Sequence, residues 1–194
     1  MICWAEFFAS YGFIAIAIGP NDEINDSHEM RAEGLIDAIE TIKEEDYRSD
    51  SPLFGLVDHD KFIVSGYSMG GGASQVALVL DHPYVDEAIV AAIALNPTII
   101  FEDCDICSDS EYCICLVPEF LEHDIPTLVI AGQNEINELP DYDGLLGQDI
   151  YENTPESTLK ILYEIESGGH GSAEVSSDLV QEKVLHWVNY HLKL

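Results

Sequence analysis

The run Lys61-Phe62-Ile63-Val64-Ser65-Gly66-Tyr67-Ser68-Met69-Gly70-Gly71-Gly72-Ala73 constrains the fold more than any other part of the chain. A short apolar strand leads into Gly66-Tyr67-Ser68-Met69-Gly70, which fits G-x-S-x-G, and a small-residue helix from Gly70 to Leu80 follows. The spacing has a steric reason. The serine sits on a strained strand-to-helix turn, and glycines on either side let the two backbones pass closely. Ser68 Oγ is then exposed at a helix N-terminus, where the helix dipole and the Met69 N–H face a developing oxyanion. A nucleophilic serine is the reading that uses all of these residues, against an idle serine in a Gly-rich turn.

The rest of the chain alternates in the same manner. Trp4 to Ser10 reads as the end of a helix, Gly12 as its stop, and Phe13 to Ile18 as a buried strand. Met30, Ile36, Ile39 and Ile42 give helical periodicity from about His28 to Glu45, after a Ser27 or Asp26 cap. Further strands are expected at Ala88 to Leu95, Ile125 to Ala131 and Leu159 to Ile165. A short helix ends near Tyr151, and a closing helix spans Val175 to His191. Apolar strands separated by helices predict an α/β fold in one domain, a mostly parallel sheet covered on both faces.

A serine nucleophile needs a base, and the base needs a carboxylate to orient it. On a fold of this kind the chain order is serine, acid, histidine. Of the 7 histidines, His28, His59 and His82 come too early, His123 precedes the strand that should carry the acid, and His186 and His191 fall in the closing helix. His170 remains, in the loop Ser167-Gly168-Gly169-His170-Gly171-Ser172 after the last strand. The acid belongs just beyond Thr127 to Ala131, where Gly132-Gln133-Asn134-Glu135 follows; Glu135 is the candidate, with Asp141 and Asp143 as alternatives on the same loop.

Composition removes several classes of function. Lys and Arg total 7 against 37 Asp and Glu, a formal net charge of −30, which repels phosphate backbones and anionic headgroups. Nucleic-acid and membrane-surface partners are therefore not expected. No apolar run reaches the ~18–20 residues of a membrane span. Self-repulsion on this scale strains a compact state in dilute buffer, so the charge is read as an adaptation to high salt, a halophilic character. Met1 to Ile18 is apolar but lacks a basic start, carries Glu6 and has no small-residue cleavage site, so it is not read as a secretion signal.

With these residues in place, the chain resembles the α/β-hydrolase family of bacterial cutinases and polyester (PET) hydrolases, and more distantly the dienelactone hydrolases. The resemblance rests on Ala9-Ser10-Tyr11-Gly12-Phe13, Gly55-Leu56-Val57-Asp58, the Ser68 motif, Ile125-Pro126-Thr127-Leu128-Val129-Ile130-Ala131-Gly132 and Gly168-Gly169-His170, all collinear. It implies a serine carboxylic-ester hydrolase of EC 3.1.1 type, with no cofactor and no metal, acting on small or polymeric esters. It implies Ser68, Glu135 and His170 as the triad, with Glu135 where the family normally has Asp. Met69 corresponds to an oxyanion-hole donor and Tyr67 to a residue lining the acyl cleft. Thr98 aligns near an aromatic cleft position, which weakens the expectation of PET itself as substrate. The family's upstream loop and strands have no counterpart here, so the chain is expected to be a single catalytic domain over residues 1–194, shortened at its N-terminus, with an open sheet edge. The family also implies secretion.

One feature lies outside that resemblance. Cys104, Cys107, Cys113 and Cys115, four of the 5 cysteines, fall in an acidic segment where the family has a short loop. A local disulfide staple, a zinc site and reduced surface thiols are all compatible with the spacing; a calcium loop is not, since Ser108 stands where its glycine is required. Cys3 reads as a buried apolar residue. Two other functions remain open beside the esterase: a catalytically impaired remnant serving as a binding module, and another reaction of the same triad, such as that of a thioesterase, peptidase or acyltransferase.

Overall fold

Ile89–Leu95 is apolar at every position, so a strand there has to be covered on both faces. A computed structural model of the chain, describing residues 2–19, 27–100, 121–140, 142, 144–175 and 177–192, shows this arrangement. Numbered in chain order, β1 (Phe62–Tyr67), β2 (Ile89–Leu95), β4 (Thr127–Gly132) and β6 (Lys160–Ile165) form a sheet in the order β1-β2-β4-β6, with every neighbouring pair parallel. Two-residue strands β3 (Ile99–Ile100) and β5 (Gly144–Leu145) pair separately and antiparallel. The α/β fold expected from the sequence is present, and it has the parallel, helix-flanked sheet of an α/β-hydrolase.

The strand alternation sorts side chains to two cores. On one face Ala91, Ile93 and Leu95 of β2 and Leu128 and Ile130 of β4 meet α1 (Ile2–Ser10) and the closing α7 (Asp178–Leu192). Both indoles there find acceptors: Trp4 Nε1–H donates to the Ala173 carbonyl at 3.1 Å and Trp187 Nε1–H to that of Ala92 at 3.2 Å. On the other face α2 (His28–Tyr47) and α3 (Met69–Val76) supply Ile36, Ile39, Ala32 and Val76. Ser27 caps α2 as the sequence implied, its Oγ accepting from Met30 N–H at 3.2 Å. Short helices α4 (Pro83–Glu87), α5 (Glu135–Glu138) and α6 (Gly147–Asn153) complete the connections.

Two expectations are corrected. Phe13 to Ile18 is not a strand of the sheet. It lies extended, with Phe13 packed against the α1–α7 core but Ile14, Ile16 and Ile18 at 42%, 50% and 40% exposure. An extended apolar run becomes a strand only by pairing, and among the described residues no strand pairs with β1 on the side away from β2. Cys3 is half-buried rather than buried, a free thiol beside the α1–α7 core. Cys104, Cys107, Cys113 and Cys115 lie outside the described residues.

His123 introduces a pH dependence into this core. It is 8% exposed, and neither ring nitrogen has a hydrogen-bond partner among the described residues. Burial pulls its pKa down from 6.5 to about 4. Between those values the unfolded chain binds a proton that the folded chain does not, so stability falls as pH falls through that window. The imidazole accounts for about 3 kcal/mol of that loss. His123→Leu is expected to gain stability over the parent by this amount as pH drops from 6.5 to about 4, read by urea unfolding at both ends. A difference independent of pH would refute it.

Candidate active site

Four loops converge at the carboxyl ends of the parallel strands, where open α/β sheets place their ligands. Ser68 follows β1, Asn96 follows β2, Glu135 lies just past β4 and His170 lies in the loop after β6. The turn at Ser68 is tightly built. Ser68 has φ 54° and ψ −123°, and it is pinned there from three sides. Its N–H donates to Leu95 at 3.0 Å, while its carbonyl accepts from Gly72 N–H and Thr98 N–H, each at 3.1 Å. A Cβ on Gly66 would fall on the Gly70 carbonyl, and one on Gly72 on the Thr98 carbonyl. Side chains at either position would prevent the crossing of strand and helix.

The structure brings Ser68, His170 and Glu135 into one chain of contacts. Ser68 Oγ is 2.9 Å from His170 Nε2, and His170 Nδ1 is 2.9 Å from Glu135 Oε1. A carboxylate only accepts, so the neutral ring carries its proton on Nδ1 and leaves Nε2 to accept from the serine hydroxyl. Glu135 is 3% exposed, and burial raises its pKa, opposed by hydrogen bonds from His170 and Asn96. Met69 is the first residue of α3, so its N–H is not committed within the helix. Among the described residues no group of three or more His, Cys, Asp or Glu is arranged to hold a metal ion. Asp141 and Asp143 lie outside the described residues.

The two residues expected in the substrate cleft part company. Tyr67 is half-buried with its ring centroid 5.5 Å from that of His170, and its hydroxyl donates to the His170 carbonyl at 3.3 Å. Burial, reinforced by the charges of Glu174, Glu135 and Glu138, raises its pKa. Thr98 is only 6% exposed and offers almost no surface to a substrate. Its backbone is used structurally instead, the N–H on the Ser68 carbonyl and the carbonyl accepting from His28 Nε2 at 2.8 Å.

Sequence reasoning missed Asn96 and Glu138. Asn96 is fully buried at φ 39°, a left-handed conformation that asparagine tolerates better than most residues. Its Nδ2 donates to Glu135 Oε1 at 2.8 Å and its Oδ1 accepts from Ala173 N–H at 2.7 Å, so one amide ties the Glu135 carboxylate to the loop of His170. Glu138 Oε2 accepts from His170 N–H at 2.8 Å and holds that loop from the other side. The signal for Asn96 was available, since a polar residue caps the carboxyl end of a wholly apolar central strand. Asn96→Ala leaves the buried Ala173 N–H unsatisfied and strips one of the two hydrogen bonds from Glu135 Oε1, and is expected to cost about 2 kcal/mol, roughly 4–8 °C in Tm. A melting scan that found no loss would show the amide to be a bystander.

A comparison with protein families matches residues 1–104 to a family described as PETase, PET hydrolase-like. The matched segment contains Ser68 and Met69 and ends before Glu135 and His170. No curated protein matches the chain.

Proposed function

Because the chain belongs to the PET hydrolase-like family, a family of ester-hydrolase type, we propose that it is a serine carboxylic-ester hydrolase working through an acyl-enzyme. The observation that carries this reading is the continuous contact from Ser68 Oγ through the His170 ring to the buried Glu135. In the first half-reaction His170 Nε2 takes the hydroxyl proton as Oγ bonds to the ester carbonyl carbon. The carbonyl oxygen becomes an oxyanion and receives the Met69 N–H. The imidazolium donates through Nδ1 to Glu135. Collapse then breaks the bond to the alcohol oxygen, which leaves with the proton from Nε2.

Water enters in the second half-reaction. His170 Nε2 accepts one of its protons as the oxygen attacks the acyl carbon, and returns a proton to Ser68 Oγ as the acid departs. Tyr67 is placed to line the acyl side, its ring beside that of His170. The buried position of Thr98 leaves no argument for contact with an aromatic polyester unit, so small or aliphatic esters are the favoured substrate class.

The test is stoichiometric labelling by a p-nitrophenyl phosphonate, with the modified peptide mapped by mass spectrometry, alongside p-nitrophenyl butyrate hydrolysis. One phosphonyl group on Ser68 is expected. Folded protein that neither takes the label nor hydrolyses the ester would be a binding module instead. The net charge of −30 supports a halophilic setting as part of this proposal. Raising NaCl from about 0.1 M to about 1 M shortens the screening length from about 10 Å to about 3 Å, and Tm is expected to rise with it. A flat or falling Tm would remove the halophilic reading.

A further inference from the structure

Two carboxylates on one helical turn grip the same histidine. Glu135 and Glu138 are the first and last residues of α5, a three-residue spacing that sets their side chains on one face. Glu135 Oε1 lies 2.9 Å from His170 Nδ1, and Glu138 Oε2 accepts from the His170 backbone N–H at 2.8 Å. His170 opens the short helical turn His170–Ala173, so its N–H has no acceptor within that turn and takes one from outside. The seat for Glu138 is cut by a glycine. A Cβ on Gly169 would fall on the Glu138 carboxyl group, which supplies all three of the nearest atoms it would meet. Gly169 has φ −98° and ψ −168°, extended backbone open to any residue. The glycine is therefore required by the carboxylate and not by the path of the chain. The same two loops are joined one residue earlier, where Asn134 N–H donates to the Gly168 carbonyl at 2.8 Å.

On the esterase reading given above, on which this rests, we propose that Glu138 and Gly169 form a clasp that positions His170 as the base. Turnover then depends on a carboxylate bound to the main chain of the base rather than to its ring. Glu138 is exposed, so its removal takes little from the core. What it fixes is the main chain of His170, and with it the ring between Ser68 Oγ and Glu135 Oε1. Both ring contacts are 2.9 Å, and a shift of about 1 Å would carry either past hydrogen-bond range. Misplacement of that size costs up to about 10²-fold in rate. Gly169 acts by leaving room. A methyl group there expels the carboxylate, because the end of a flexible side chain gives way before backbone does.

The test is a double-mutant cycle on p-nitrophenyl butyrate hydrolysis by the whole chain. Glu138→Ala and Gly169→Ala are each expected to lower kcat about 10–10²-fold, with KM within about twofold of the parent. Combined, they are expected to be no slower than Glu138→Ala alone, since the methyl group then enters space that the carboxylate has left. Glu138→Gln keeps an acceptor for the N–H and is expected to stay within about threefold of the parent. A merely structural role would move the melting temperature and leave kcat and this coupling alone. The second readout is the Nδ1–H proton of His170, followed by NMR in protein labelled with ¹⁵N-histidine. Its hydrogen bond to Glu135 holds it at low field in the parent. In both alanine variants it is expected to move upfield or to be lost to exchange, and in Glu138→Gln to return. That signal needs no turnover. A parent that hydrolysed no ester, yet showed the signal and lost it in both alanine variants, would sink the esterase reading and leave the clasp standing. Losses that multiply in the double variant, a Gly169→Ala protein as fast as the parent, or a ring signal indifferent to both variants overturns the clasp. Glu138→Gln as slow as Glu138→Ala overturns it too, in favour of an effect of charge.

Discussion

Ser68→Ala is expected to lower kcat/KM for p-nitrophenyl butyrate by about 10³-fold or more while leaving the fold intact. Oγ is the atom proposed to bond to the acyl carbon, and among the described residues it is the hydrogen-bond partner of His170 Nε2. Alanine has the same Cβ as serine, so the strain of φ 54° is unchanged and the crossing of Gly66 past Gly70 is untouched. The lost contact is a partly exposed hydroxyl, so Tm is expected to move by no more than about 2–4 °C. Residual activity above buffer would come from the Met69 N–H and from substrate binding alone. A useful check is non-additivity. If Ser68 and His170 act as one unit, Ser68→Ala combined with His170→Ala is expected to be no slower than either alone. Multiplying losses, or wild-type turnover in Ser68→Ala, would place the chemistry elsewhere.

How much of this was legible in the sequence depends on how local each cause is. The turn at Ser68 could be read because its motif is contained in seven residues: Gly66 is required by the Gly70 carbonyl beside it and Gly72 by the Thr98 carbonyl beyond β2, whereas a side chain at Gly70 would meet open space. His170 and Glu135 could be read because chain order and strand ends assign loops to one edge of the sheet. The fate of Phe13 to Ile18 could not be read, since pairing is a property of a partner, and its alternating apolar pattern is the same with or without one. Asn96 shows a different limit. Its role needs a left-handed backbone, a carboxylate beyond β4 and an N–H beyond β6 to coincide, three facts that no spacing in one segment encodes. Thr98 shows that alignment to a cleft position says nothing of burial: its N–H and carbonyl are both drawn into the turn.

Glu135→Gln is expected to separate activity from stability in opposite directions. Burial raises the Glu135 pKa, so above the ordinary carboxylate range the folded chain holds a proton more readily than the unfolded chain. By linkage, the stability contributed by this group is present at low pH and is lost as pH rises through the raised pKa. At neutral pH the ionised carboxylate therefore weighs against folding, and the neutral amide of glutamine removes that cost. Gln Oε1 can still accept from Asn96 Nδ2, so Tm is expected to hold or to rise by about 2–4 °C. Activity should go the other way. The Oε1 that faces both Asn96 Nδ2 and His170 Nδ1 then carries no charge, so it cannot stabilise the imidazolium; roughly 10³-fold is expected to be lost. Glu138 offers no substitute, because it holds the backbone N–H of His170 and not its ring. Glu135→Asp keeps the charge but withdraws it by about 1.5 Å, one carbon–carbon bond, and is expected to lose about 10–10²-fold. The ordering Glu, Asp, Gln in rate, set against equal or higher melting temperature for Gln, is what an orienting carboxylate predicts. A Gln variant that melted far lower while keeping its rate would make Glu135 a structural residue and reopen the loop after β4 as the source of the acid.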